Sequence, residues 1–317
     1  RGDSNRGDSN RGDSNRGDDR RQRLLPPTLS AAGPGSRTPR QPSHIQPSSI
    51  PPSSMTTVGT SGWQFDNWSG RFYDAGTPKE SWLAAYAQTF SSVEVNNTFY
   101  QLPERSKLER WREATPPDFT FAIKANRYIT HLKKLLDPVE PLATLYRHLE
   151  PLEDRIGPIL FQLPPNWHRN AGRLEAFLDH LSAQHRHVFE FRDPTWFHPE
   201  TIEALADHDA AFCTYDLGAK QSPVALTSDL AYVRLHGEET AYEGRYSEDA
   251  LATWAGRVRE WSREGRDVFV YFNNTSGDGH APFDAQRLRH RLAERPDDAP
   301  PDAGRGGEDR PSPPEPQ

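Results

Sequence analysis

Apolar and polar residues alternate in eight short segments of the chain, and helical patterns separate most of these segments. A period of two is typical of β-strands, because successive side chains point to opposite faces of a sheet. A period near 3.6 is typical of amphipathic helices. The predicted strands are 57–60, 92–96, 120–124, 158–163, 188–192, 212–216, 231–236 and 268–273.

The predicted helices are recognised by one apolar face and by capping residues. Leu251, Trp254 and Val258 follow Ser247, which is a typical N-cap, and would share one face. Thr77 stands three residues before a Glu and directly before a Pro, a pattern that predicts a capping box. The segment 217–229 shows no helical pattern, so the connection between the sixth and seventh strands is expected to lack a helix.

Strands that alternate with helices predict parallel strand pairing. Eight such units in about 240 residues favour a closed TIM-type (β/α)8 barrel, a single α/β domain. The alternative is an open, doubly wound sheet. That fold would usually begin with a glycine-rich phosphate-binding turn, and the spacing of Gly59 and Gly62 does not match one.

The two ends of the chain differ in composition from its middle. Every Trp, Tyr and Phe lies between Trp63 and Phe283, so neither end has aromatic side chains to bury. Residues 55–292 are therefore the predicted barrel. Residues 1–54 begin with three copies of Arg-Gly-Asp-Ser-Asn and are predicted to be a disordered low-complexity segment, with Met55 as the expected native start. Residues 293–317 are predicted to be a disordered, acidic, proline-rich tail.

Charge and cysteine content exclude several classes of protein. The formal net charge is −7, which disfavours a general polyanion binder but allows a local basic patch. The single cysteine, Cys213, excludes an internal disulfide framework and a cysteine-based zinc site, and we expect it to face the helices with Ala211 and Tyr215. No segment approaches ~18 consecutive apolar residues, so we expect no membrane span and a cytoplasmic location.

The predicted strands carry charged residues where buried parallel strands are normally apolar throughout. Glu94 stands between Val93 and Val95, and Arg234 stands between Val233 and Leu235. The apolar side chains must meet the helices, so the polar ones are expected to line the lumen, near the carboxyl ends of the strands. In barrels of this class that end carries the active site.

Several motifs occur in a fixed order along the chain. They are Gly-Thr-Ser-Gly-Trp at 59–63, Val-Glu-Val-Asn-Asn-Thr-Phe-Tyr at 93–100, Phe-Ala-Ile-Lys-Ala at 121–125, Ile-Thr-His at 129–131, Gly-Pro-Ile-Leu-Phe-Gln-Leu-Pro-Pro at 157–165, Glu-Phe-Arg at 190–192, Tyr-Val-Arg-Leu-His-Gly at 232–237 and Tyr-Phe-Asn-Asn-Thr at 271–275. In this order the chain resembles the domain of unknown function 72 family, the YecE-like proteins, over about residues 57 to 292. The resemblance implies a TIM-type barrel and no assigned reaction.

The candidate site combines carboxylates with cations. Glu94, Glu190 and His236 are the predicted acid–base residues of an enzyme, with a hydrolase slightly favoured. The cations suit an anionic substrate carrying phosphate or carboxylate, because guanidinium groups bind such anions through two hydrogen bonds. The predicted substrate-binding residues are Ser61, Trp63, Asn96, Tyr100, Lys124, Arg127, His131, Gln162, Arg192, Trp196, Asp216, Arg234, Tyr271 and Asn273.

Four alternatives remain open. The charges could form a self-satisfied ion-pair plug, in which Arg234 is fully paired, whereas an anion site should leave it partly unpaired. Glu94 and Glu190 could act as in a glycosidase, with Trp63, Trp68, Tyr100, Trp167 and Trp196 as sugar platforms. The protein could bind nucleic acid, as a non-catalytic binder or as a metal-dependent phosphoesterase. No cofactor is predicted, but a divalent metal is possible and would take Glu94, Glu190, Asp216 and His236.

Overall fold

Eight parallel strands form the wall of a barrel in the computed structural model, which describes residues 54–218 and 220–294. In chain order the barrel strands are β1 (Thr56–Thr60), β2 (Ser92–Val95), β3 (Thr120–Lys124), β4 (Ile156–Gln162), β5 (His187–Glu190), β6 (Ala211–Leu217), β8 (Leu230–Leu235) and β9 (Asp267–Phe272). The short β7 (Lys220–Gln221) pairs antiparallel with β6. The sheet order is β1-β9-β8-β6-β5-β4-β3-β2, and a parallel bridge between Ser61 and Glu94 joins its two ends. The predicted TIM-type barrel is confirmed.

Close approach of the backbones at the closing seam depends on Gly59. A Cβ atom at this position would overlap the carbonyl oxygen of Ser92 in β2. The Tyr86 hydroxyl joins the same two strands, since it donates to the Ser92 carbonyl at 3.0 Å and accepts from the Thr60 amide at 2.9 Å. The Tyr86 side chain therefore joins β1 and β2 in addition to the Ser61–Glu94 bridge, and the seam has no room for a side chain at residue 59.

Helices cover the outside of the barrel between most strands. They are α1 (Trp82–Ala87), α2 (Arg105–Glu113), α3 (Val139–Leu149), α4 (Ala171–Leu178), α5 (Pro199–Asp207), α6 (Glu248–Arg263) and α7 (Ala281–Ala293). Ser247 caps α6 as predicted, because its Oγ accepts from the Ala250 amide at 3.1 Å. The capping box at Thr77 is wrong: a 3₁₀ turn precedes α1 and begins after Pro78, without a side-chain cap. As expected, no helix separates β6 from β8.

Strand parity divides the barrel wall into an outer and an inner face. Val93, Val95, Val233 and Leu235 pack outward against the helices, as predicted. A separate apolar layer fills the lower part of the lumen. Its members are Ala122, Leu160, Val188, Ala211, Cys213, Leu230, Tyr232, Phe269 and Tyr271.

Two predictions for the sixth strand are wrong. Cys213 and Tyr215 lie opposite Tyr232 and Arg234 of β8, so both face the lumen and not the helices. Asp216 lies opposite Leu235 and therefore faces outward. The more apolar set of alternate residues in β6 faces the lumen, where Ala211 and Cys213 join the apolar layer, so alternation alone does not orient this strand.

The predicted disordered segments, 1–54 and 293–317, lie almost entirely outside the described residues. Ser54 and Met55 are described and contact the barrel, where the Met55 amide donates to Asp267 Oδ1 at 2.7 Å. Among the helices of the described residues, none has the length and apolar character needed to cross a membrane.

Candidate functional site

A buried ion network crosses the barrel at the level where β2, β5 and β8 carry their charged residues. Arg234 Nη2 donates to Glu94 Oε1 at 2.8 Å, and Arg234 Nη1 donates to Glu190 Oε2 at 2.6 Å. Arg192 Nε donates to the other oxygen of Glu190. The Tyr232 hydroxyl donates to Glu94 Oε2 at 2.7 Å. Each carboxylate oxygen therefore has a donor.

Arg234 is the centre of this network and is only 1% exposed. Its guanidinium group contacts two carboxylates, so at this residue the structure matches the ion-pair plug, whereas an anion site was expected to leave Arg234 partly unpaired. Burial would raise the pKa of Glu190, but Arg192 and Arg234 outweigh burial and hold that pKa well below its usual range. Glu190 is therefore ionised at neutral pH and is a poor proton donor.

His236 lies at the edge of the same network. Arg192 Nη2 lies 3.0 Å from His236 Nε2, and Asn273 Nδ2 lies 2.9 Å from Nδ1. Burial and the nearby charges of Arg234 and Arg192 lower the pKa of His236 well below its usual value. Because a guanidinium group only donates, His236 Nε2 is an acceptor. The neutral ring then carries its proton on Nδ1, and the Asn273 amide must turn its oxygen toward that proton, since two N–H donors do not pair.

Lys124 lies at the carboxyl end of β3 and is the exception to this pairing. Among the described residues no carboxylate oxygen lies within 4 Å of its ammonium group, which lies 4.4 Å from the centroid of the Phe99 ring. Burial lowers the pKa of Lys124 to about 8, and the charge of Arg234 adds to this effect. The charges of the two glutamates and the two arginines cancel. The ammonium group of Lys124 therefore gives the site one excess positive charge.

A pocket of about 450 Å³ opens above the network, at the carboxyl end of the strands. Arg234, Arg192 and Lys124 form its charged lining, while Glu94 and Glu190 lie beneath and are fully buried. We call the pair of glutamates with Arg192 and Arg234 the ion-pair floor. The predicted site residues that line the pocket are Ser61, Trp63, Asn96, Tyr100, Lys124, Gln162, Arg192, Arg234, His236 and Asn273.

Five predicted binding residues lie away from the pocket. Arg127 and His131 belong to the segment after β3, where Arg127 is exposed and His131 packs against Phe99. Burial, with Lys124 and Arg127, lowers the pKa of His131 to about 4, so this ring adds no charge at neutral pH. Tyr271 lies beneath the floor, where its hydroxyl is 2.6 Å from Ser92 Oγ. Asp216 and Trp196 lie outside the barrel wall.

Asp216 and Trp196 each have a local partner there. The Tyr246 hydroxyl donates to Asp216 Oδ2 at 3.4 Å, and burial raises the pKa of Asp216 to about 6. Trp196 donates from Nε1 to the Trp167 carbonyl at 2.6 Å and stacks on Phe191. The possible metal set of Glu94, Glu190, Asp216 and His236 is therefore not assembled. Within residues 54–218 and 220–294 no group of three or more His, Cys, Asp and Glu could hold a metal ion.

The aromatic residues considered as sugar or base platforms are mostly buried. Trp63, Trp68, Trp167 and Trp196 have almost no exposed surface, whereas Tyr100 is 73% exposed. An aromatic ring needs an accessible face to stack on a base or a sugar. Of the five predicted platforms, Tyr100 alone offers such a face.

Several residues that line the pocket were not among the predicted substrate-binding residues. They are Gly62, Gln64, Phe65, Asn97, Phe99, Tyr242 and Thr275. Asn97 and Phe99 belong to the 3₁₀ turn that follows β2, and their position directly after a barrel strand could have identified them. Tyr242 comes from the long connection between β8 and α6, and no pattern places it over the pocket.

The fold and the site define an α/β barrel with a charged pocket at the carboxyl end of its strands. A family model described as "Protein of unknown function DUF72" matches residues 57–306. The chain belongs to this family, so the resemblance seen in its motifs is confirmed.

Three relatives give the extent of this similarity. The UPF0759 protein YunF of Bacillus subtilis (strain 168) is 26% identical over 272 residues, which cover 74% of this chain and 94% of YunF. The UPF0759 protein YecE of Escherichia coli (strain K12) is 35% identical over 116 residues, covering 36% of this chain and 43% of YecE. A crystal structure of a DUF72 family protein from Thermotoga maritima MSB8 superposes with a TM-score of 0.68 at 32% identity, covering 76% of this chain and 100% of that chain. None of these names states a reaction or a ligand.

Proposed function

We propose that this protein binds a small anionic substrate, carrying a phosphate or a carboxylate, in the pocket above the ion-pair floor and acts on it as an enzyme. The observation that carries the proposal is Lys124, a largely buried ammonium group with no carboxylate within 4 Å among the described residues. A buried charge without a partner destabilises the free protein, and such a cost is typical of functional sites. A bound anion would supply the missing partner.

Lys124 is also the group best suited to move a proton in this pocket. A catalytic acid or base is most effective when its pKa lies near the working pH, and the pKa of Lys124 is lowered to about 8. The acid–base roles of Glu94, Glu190 and His236 stay predictions. The geometry favours them less, since both carboxylates accept from arginines and His236 Nε2 accepts from Arg192. The cytoplasmic location likewise stays a prediction.

Thermal unfolding in the presence of anions tests the binding half of the proposal. Sulfate, phosphate and acetate are compared with chloride at constant ionic strength. A bound anion at about 100 times its Kd should stabilise the protein by about 2.7 kcal/mol. Lys124→Met should lose this stabilisation, while its own stability without ligand should equal or exceed that of the unchanged protein, because a buried charge has been removed.

Lys107→Met is the matched control. Lys107 also lies over an aromatic ring, that of Trp111 at 5.6 Å, but it is in α2 and does not line the pocket. This variant should respond to anions like the unchanged protein. Equal anion responses from both variants would refute the proposal. Turnover of a panel of phosphomonoesters, measured for the same three proteins, tests the catalytic half, which fails if Lys124→Met turns over as fast as the control.

A further inference from the structure

The pocket surrounds its one excess positive charge with neutral hydrogen-bonding side chains. They come from four different strand ends: Ser61 after β1, Asn96 and Asn97 after β2, Gln162 at the end of β4, and Asn273 after β9. A site built only for an inorganic anion needs donors around one point. This lining instead offers both donors and acceptors on several sides of the cavity.

Two of these side chains have buried polar atoms without a hydrogen-bond partner among the described residues. They are the hydroxyl of Ser61 and Oδ1 of Asn97. Buried polar atoms in proteins are almost always paired, so each unpaired one requires an explanation. Three further atoms of this kind, in Trp68, Arg169 and Asn274, lie away from the pocket, so an unpaired atom is not by itself a sign of a ligand. Ser61 and Asn97 are the two whose side chains a ligand in the pocket can pair by turning them toward it.

The chemistry of Asn97 restricts what that ligand is. The amide oxygen of Asn97 accepts hydrogen bonds and cannot donate one. Ionised sulfate and carboxylate groups have no hydrogen-bond donor to offer it. A ligand that satisfies Asn97 therefore needs a hydroxyl or N–H group as well as its anion. If the amide is rotated by 180°, the unpaired atom becomes a donor, and a hydroxyl group satisfies that as well. Ser61 both donates and accepts and is also matched by a hydroxyl group.

The walls and the volume of the pocket fit a ring-sized ligand. Phe99 and Tyr242 belong to the lining, as does the exposed Tyr100. Aromatic rings of this kind can pack against the C–H face of a sugar ring, and side-chain amides can form hydrogen bonds with its hydroxyl groups. The cavity of about 450 Å³ lies within the ~300–1,000 Å³ that is typical of small-molecule sites.

We propose that the ligand of this pocket is a polyhydroxylated anion, namely a monosaccharide phosphate or a sugar acid, with its anion at Lys124 and its hydroxyl groups at Ser61 and Asn97. This inference rests on the proposed function, because it uses the same pocket and the same cation.

Titration calorimetry with matched ligands tests the inference. Glucose 6-phosphate is compared with inorganic phosphate, and gluconate is compared with acetate. Glucose is the uncharged control. The better of the two sugar anions should bind at least about tenfold more tightly than its simple counterpart, as two or more extra hydrogen bonds would provide. The pair of compounds with the larger difference in affinity also shows whether the anion of the ligand is a phosphate or a carboxylate.

Variants at Ser61 and Asn97 show whether these two residues produce the preference for a sugar anion. Ser61→Ala and Asn97→Leu should each lower the affinity ratio between the sugar anion and its simple counterpart several-fold, whereas Ser106→Ala, an exposed serine of α2, should leave the ratio unchanged. If the simple anions bind but neither sugar anion binds more tightly, the inference is overturned and the proposed function stands. Binding of glucose as tight as that of glucose 6-phosphate also overturns it. If no anion binds, the proposed function falls together with the inference.

Discussion

At the scale of single residues, the site differs from an ordinary buried ion network by one amine. Arg234 and Arg192 are each matched by a glutamate, and the positive charge of Lys124 is not. Burial then lowers the pKa of Lys124 to about 8, so its charge is partly lost at mildly alkaline pH. Anion binding should therefore depend on pH in a range where few other side chains titrate.

We expect the affinity for sulfate to decrease above pH 8. Below that pH Lys124 is already protonated in the free protein, whereas above it each binding event must take up a proton, because a bound anion raises the pKa of the amine. The decrease approaches tenfold per pH unit until the pKa of the bound state is reached. Sulfate is the suitable probe since its own charge is constant over this range.

Titration calorimetry between pH 6.5 and 9.5 measures this dependence. In Lys124→Arg the guanidinium group stays charged, so a variant that still binds sulfate should show no decrease up to pH 9.5. An unchanged sulfate affinity in the original protein across that range would show that Lys124 does not contact the anion.

At the scale of elements, the seam between β1 and β2 is the most restricted part of the barrel wall. Gly59→Ala should destabilise the protein by about 1–3 kcal/mol, because the new methyl group meets the Ser92 carbonyl and forces the two strands apart. Urea denaturation gives the change in the free energy of unfolding. Gly256→Ala in α6 is the control, since nothing lies within 4 Å of a Cβ there, and it should stabilise the protein by roughly 0.5–1 kcal/mol. Equal effects of the two substitutions would contradict this description of the seam.

Strand parity could be predicted wherever one face was clearly more apolar than the other. In β2 and β8 the outward residues Val93, Val95, Val233 and Leu235 are all aliphatic, which fixed the inward position of Glu94 and Arg234. In β6 the outward Asp216 is accommodated by Tyr246, and the inward Cys213 packs with the apolar layer of the lumen. These are tertiary contacts between distant segments, and no local pattern encodes them.

At the scale of the whole molecule, Arg234 connects strands that are distant around the barrel. It reaches from β8 to Glu94 at β2 and to Glu190 at β5. Arg234→Met should cost about 3–5 kcal/mol in the free energy of unfolding, because Glu94 and Glu190 each lose a buried cationic partner. Chemical denaturation measures this cost.

The matched control for this substitution is Arg105→Met. Arg105 pairs with Glu109 on the surface of α2 at 2.8 Å, and such exposed pairs contribute at most about 1 kcal/mol. Adding Glu94→Gln to Arg234→Met should recover part of the loss, since Glu190 keeps Arg192 and no buried carboxylate is then left without a cationic partner. A near-neutral effect of Arg234→Met alone would mean that the ion-pair floor does not stabilise the barrel.

The sequence indicated that Glu94, Glu190 and Arg234 enter the lumen but not how they pair there. Arg192, Arg234 and Lys124 had equal standing as candidate anion binders, and only their distances to Glu94 and Glu190 separate them. Trp196 was a candidate as an aromatic platform for a ligand, yet it packs against Phe191 on the outer side of the wall. Pairing and side-chain direction depend on the whole barrel, whereas the period of two is local.

The ion-pair floor has a consequence for how such a barrel can diversify. The residues of the ion-pair floor lie at the bottom of the pocket. Other lining residues, such as Asn97, Tyr100 and Tyr242, stand above the floor on the connecting segments. Substitutions above the floor change the shape and chemistry of the pocket without stranding a buried charge. Evolution or protein engineering can therefore alter ligand preference through residues around the pocket opening, while the ion-pair floor stays unchanged.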